Sequence, residues 1–87
     1  MVSLEEAKKY LVVEFDDDDE MIQSMINSSE SVVKDLLRVE ELPEDDSVKV
    51  AVLYAAAYLY EHREEADMNA LVLNLRYYLS GKREVLF

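Results

Sequence analysis

Between residues 48 and 60 every side chain except Lys49 is apolar, so a helix through this stretch is hydrophobic nearly all the way round. Such a helix is normally enclosed by protein, because it has no polar face to turn to water. The run is well short of the roughly 20 residues that a membrane-spanning helix needs, so its enclosure has to come from the other helices of the fold, or from those together with a neighbouring subunit. The 87-residue chain offers little for that purpose except further helices. One glycine and one proline leave scant material for repeated tight turns, β-bulges or phosphate-cradling loops. The absence of cysteine excludes disulfides, thiolate zinc sites and thiol nucleophiles. A 51% hydrophobic content is enough for folding. The length allows one core, hence a single domain over residues 1–87. The reading is all-α: a compact four-helix domain with a short first helix, a long amphipathic second, an apolar third, a closing fourth, and a C-terminal tail over residues 82–87.

Local signals place the four helices. Ser3 with Glu6 three residues on is a capping box, and Leu4, Ala7, Tyr10 and Leu11 continue at helical spacing to a stop near Val12 and Val13. The acids of residues 16–20 precede the second helix, where aspartate caps and negative charge complements the helix dipole. From Met21 the stripe runs through Ile22, Met25, Ile26, Val32, Val33, Leu36 and Leu37, with Ser29 filling its gap. The opposite face carries Gln23, Ser24, Asn27, Ser28 and Ser31, which are small and uncharged and fit a solvated face or a close subunit contact. Pro43 breaks the chain, Asp46 or Ser47 can cap, and the third helix is predicted over 47–65. Within it, residues 55–57 are alanines that permit close approach, and Tyr54, Tyr58 and Tyr60 combine bulk with a polar tip that fits an interface. The fourth helix is predicted over 68–80, with Leu71, Val72, Leu75, Tyr78 and Leu79 inward and Gly81 as a left-handed cap. Val85, Leu86 and Phe87 then form an apolar tip that either folds back onto the core or docks elsewhere.

Charge divides the chain. Residues 1–46 hold fifteen acids and four bases, net −11, whereas residues 47–87 hold five of each. A net −11 argues against non-specific attraction to nucleic acid or to an anionic membrane. No secretory signal pattern stands at the N-terminus, and an intracellular or particle-bound protein is the expectation.

Catalytic and metal motifs were sought among the polar residues. His62, the one histidine, sits among Glu61, Arg63, Glu64 and Glu65 with no nucleophile or partner ligand at useful spacing, and reads as a surface residue. Asp16, Asp18 and Glu20 alternate as in a calcium loop, but Met21 and Asn27 occupy the positions where an EF-hand needs glycine and glutamate. The expectation is no enzyme, no catalytic residues, no cofactor and no metal.

Taken together, the pieces resemble a known family. The opening residues 1–11, then Phe15 with the acidic run 16–20 and Met21-Ile22, are similar to the start of small head–tail connector (adaptor) proteins of tailed bacteriophages and prophages. The apolar stretch 48–60, ending in Tyr60-Glu61-His62-Arg63-Glu64, is similar to that family's third helix, and Ala70-Leu71 with Leu75-Arg76 to its closing helix. Many members carry a Leu-Pro-x-Gly type loop before the last helix, where this chain has residues 66–69 as Ala-Asp-Met-Asn.

The resemblance implies a structural virion protein that forms a ring under the portal, extends the DNA channel and offers a platform for the next connector or tail-completion protein after DNA packaging. Its partners would be other copies of itself, with the free protein monomeric in solution, and the portal protein. It would be located at the head–tail interface of the virion and in the host bacterial cytoplasm during assembly. Tyr54, Tyr58, Tyr60, Ser24, Ser28 and Ser31 become subunit-interface candidates. Val85, Leu86 and Phe87 become docking candidates for the portal or a neighbour. Asp16, Asp17, Asp18, Asp19 and Glu20 would line a channel wall or rim past which DNA slides without binding. The rival reading is a small acidic phage-encoded inhibitor that mimics DNA and occupies a basic site on a host protein.

Overall fold

The capping box predicted at Ser3 forms, and it starts the first of four helices. In the computed structural model, which describes the backbone of residues 1–83 and the side chains of residues 1–80, the helices are α1 (Leu4–Leu11), α2 (Asp19–Leu37), α3 (Asp46–Glu61) and α4 (Met68–Arg83). No strand occurs among the described residues, so the all-α four-helix reading holds.

Each helix boundary has a local cause. The Ser3 hydroxyl accepts from the Glu6 amide at 3.0 Å, and the Glu6 carboxylate accepts from the Ser3 amide at 3.1 Å. The first helix ends where Val12 turns left-handed at φ 59°, donating its amide to the Lys9 carbonyl at 3.2 Å. The second ends the same way at Arg38, also at φ 59°. Two expectations need correction here. Asp45, not Asp46 or Ser47, caps the third helix, its carboxylate accepting from the Ser47 amide at 2.7 Å. That helix stops at Glu61 and not at residue 65, because a turn follows in which the Glu65 amide donates to the His62 carbonyl at 3.0 Å. Gly81 was the third departure: α4 runs straight through it to Arg83, so it does not act as a left-handed cap.

The core is built on α3. Val48, Ala51, Val52, Ala55 and Ala56 are buried on it, against Ile22, Ile26 and Val33 of α2 and against Leu71, Leu75 and Leu79 of α4. Each fully buried Val, Leu or Ile side chain contributes on the order of 1.5–3 kcal/mol relative to exposure. The alanines leave room for close backbone approach between α2 and α3, whose residues pack more extensively than any other pair of helices. Ser29 fills its place in the α2 stripe, fully buried, with no hydrogen-bond partner for its hydroxyl among the described residues. Helix α1 packs on α2 and α3, and α4 packs on the same two helices. Among the described residues α1 and α4 themselves show no such packing, which leaves a gap over α3.

Candidate functional site

Two regions hold the residues that the sequence singles out. The first is the junction where the start of α2 meets the end of α3. Lys8 on α1 reaches across to it, with its ammonium 2.8 Å from Asp16 and 2.7 Å from Asp19. The hydrogen bond that Lys8 donates to Asp16 leads the effects that raise the Lys8 pKa, and the Asp16 carboxyl is lowered in return. Asp18 occupies the N-cap position of α2 without a capping bond, because its carboxylate accepts instead from the Tyr60 hydroxyl at 2.7 Å. That bond raises the Tyr60 pKa. The Arg63 guanidinium lies 4.9 Å from the centre of the Tyr60 ring. Of the acidic run, Asp16, Asp18 and Asp19 thus have internal partners, while Asp16, Asp17 and Glu20 are exposed.

A second ionic strap ties α1 to the start of α3. The Lys49 ammonium donates to the Glu6 carboxylate at 2.8 Å. This bond, followed by the one from the Ser3 amide, lowers the Glu6 pKa to about 2.

The three tyrosines of α3 have different surroundings. Tyr60 is half-buried on Asp18. Tyr58 is also half-buried: its hydroxyl accepts from the Asp67 amide at 3.0 Å, and its ring stacks on His62 with centroids 4.3 Å apart. Tyr54 is exposed, with the Asn74 amide 3.4 Å from its hydroxyl. Ser24, Ser28 and Ser31 stand exposed along α2. Val85, Leu86 and Phe87 lie outside the described residues.

The second region is the gap between α1 and α4, floored by Ala51. It forms a groove of about 300 Å³ lined by Tyr10, Val50, Tyr54, Asn74, Tyr77 and Tyr78, with no charged residue among them. A wider adjoining hollow shares Tyr10 and Tyr54 and continues past Val12 and Tyr58 to Glu61 and His62. Sequence reading placed only Tyr54 and Tyr58 of these in an interface. Tyr78 was expected inward but is 48% exposed. The adjacent pair Tyr77-Tyr78 carries the missed signal. Neighbouring residues on a helix point about 100° apart, so two adjacent tyrosines beside Leu79 do not all fit one inner stripe.

The chemistry of these regions is that of contact. Among the described residues no cluster of three or more His, Asp or Glu is arranged to hold a metal ion, and no helix is long and apolar enough to cross a membrane. Comparison with known families gives one finding: the family model described as "Phage gp6-like head-tail connector protein" matches residues 1–77, which include α1, α2, α3 and most of α4. No curated protein and no solved structure gives a match.

Proposed function

Because the chain belongs to the family of phage gp6-like head–tail connector proteins, we propose that it is a virion component that assembles as a ring under the portal. There it extends the DNA channel and gives the next connector or the tail-completion protein its platform. The family is structural, and the match across residues 1–77 is the observation that carries the reading.

Features of the fold support the finer parts. A ring is built from heterologous contacts that close by rotation, and it needs two surfaces per subunit that tolerate a neighbour. Tyr54 with the rest of the groove offers one such surface, and the uncharged α2 face with Ser24, Ser28 and Ser31 offers a second. Tyr58 and Tyr60 hold the end of α3 in place, through the Asp67 amide and the Asp18 carboxylate. Exposed Asp16, Asp17 and Glu20, with the half-buried Asp18 and Asp19 beside them, present negative charge to a channel or rim, where like charge lets DNA pass without sticking. Val85, Leu86 and Phe87 are assigned to docking on the portal or a neighbour. Assembly takes place in the host cytoplasm, from a subunit that is monomeric when free.

Disrupting the gene tests the reading. Filled heads without tails should accumulate, and supplying the protein in trans should restore joining. Electron microscopy of the protein mixed with its portal should show an added ring. Particles that join tails normally without the protein would overturn the assignment.

A further inference from the structure

We propose that the uncharged groove between α1 and α4 is the surface through which one copy of this chain seats against a second copy. The proposal rests on the connector reading and assigns its lateral contact to particular residues.

The groove is a contiguous exposed apolar surface, unlike the scattered single residues that ordinary surfaces carry. Tyr77 is 86% exposed, and Tyr10, Val50, Tyr54 and Tyr78 are each between 40% and 48% exposed. Four tyrosines around an alanine floor form an amphipathic aromatic lining, and aromatic residues are enriched at protein interfaces. They line the open side of the helix whose apolar composition demands enclosure, and the chain's own helices leave that side uncovered.

Charge identifies the occupant. Sixteen of the twenty acids fall in residues 14–20, 35–46 and 61–67. The Tyr60–Asp18 bond brings the first and last of these segments to one end of the α2–α3 pair, and the middle segment lies at the other end. Tyr54, in the groove, is about 10 Å along α3 from Glu61 and about 12 Å from Asp46, at 1.5 Å per residue. Both separations exceed the Debye length of about 8 Å at physiological ionic strength, and the nearer Glu6, one turn from Tyr10 on α1, is paired with Lys49. A basic partner would be drawn to the acidic ends, whereas a second molecule of charge −11 is repelled there and approaches closely where no acid lines the surface. The groove meets that condition.

Val12 extends the exposed apolar surface: it lies in the hollow that adjoins the groove and is 82% exposed.

A photo-crosslinking experiment in assembled particles tests the proposal. Tyr77 is replaced by p-benzoylphenylalanine in the full chain, and particles are irradiated, purified and digested. The expected product joins Tyr77 to a peptide of the same chain. A crosslink to the portal or another virion protein alone overturns the proposal and leaves the connector reading standing, as does the absence of any crosslink in particles that contain the chain. Absence of the chain from particles overturns both. In parallel, Tyr77→Lys should keep wild-type helicity and urea midpoint while reducing incorporation at least tenfold. Wild-type incorporation of this variant would also overturn the proposal.

Discussion

Val50 and Val52 are the same residue two positions apart on α3, yet Val52 is fully buried and Val50 is 45% exposed. The difference separates two sides of the helix. The Val52 side, with Val48, Ala55 and Ala56, is closed by α2 and α4. The Val50 side, with Tyr54, opens into a groove because α1 and α4 do not meet across it. Composition makes the two sides look alike, since both are apolar. What sets them apart is the supply of covering helices, and α1, with only 8 residues, is too short to close the second side. An apolar helix in a small chain therefore marks both where the core is and where the core is left incomplete.

Matched truncations should make the contrast measurable. Val52→Ala removes two buried carbons and leaves a cavity, for a loss of about 2 kcal/mol. Val50→Ala should fall within about 0.5 kcal/mol of wild type, as substitutions at exposed sites usually do. Urea unfolding followed by circular dichroism, with the slope unchanged, reads both. Equal losses would mean that the groove is closed in solution and would break the contrast.

How legible was this in the sequence? The closed side was largely so. The stripe through Ile22, Ile26, Val33, Leu36 and Leu37 is buried as its spacing required, and so are Leu71, Leu75 and Leu79. The Ser3 capping box and the stop at Val12 also followed from local residue types. Which side of α3 stays open was not legible, because spacing along a helix says which residues share a face but not whether another helix covers it. Tyr10 and Tyr78 lie in apolar stripes and still emerge half exposed. Long-range polar pairing was equally hidden: a run of acids reads as caps and solvated charge, and only the fold brings Lys8 to Asp16 and Tyr60 to Asp18, 42 positions apart. Gly81 shows a local rule outvoted, as the helix propagates through a residue that often ends one.

Val12 offers a smaller effect at the margin of the open side. Val12→Gly relieves the left-handed strain, for which an L-residue pays about 1–2 kcal/mol, against a loss of about 0.5–1 kcal/mol from glycine's greater unfolded freedom. A net gain of up to about 1.5 kcal/mol should appear as a higher thermal midpoint. If incorporation into particles falls while stability rises, the strained valine belongs to the contact surface; if both rise, the open side ends before Val12.

The smallest effect concerns how the α1 wall of the groove is held. Glu6 is lowered from 4.5 to about 2, chiefly by the bond from Lys49, so protons bind more readily to the unfolded chain than to the folded one. Its contribution is therefore present above pH 4.5 and is lost as pH falls through about 2. Lys49 is shifted the opposite way, upward from 10.5, so its share persists at neutral pH and is lost only at strongly alkaline pH. Both side chains are more than a third exposed, so the strap is screened and its effect on global stability is small. Glu6→Gln is the informative variant, because glutamine also completes a capping box, and the helix start survives while the charge does not. Protection of the α1 amides, taken relative to the intrinsic exchange rate at each pH, should fall as wild type is acidified across this range, whereas in Glu6→Gln it should already be lower at neutral pH and change less on acidification. The amides of α2 and α3 around Val52 should stay protected in both proteins. Acid would then loosen the wall that carries Tyr10 without opening the core beneath it. Equal loss of protection in α1 and in the core would instead mean that the two sides of α3 unfold as one unit.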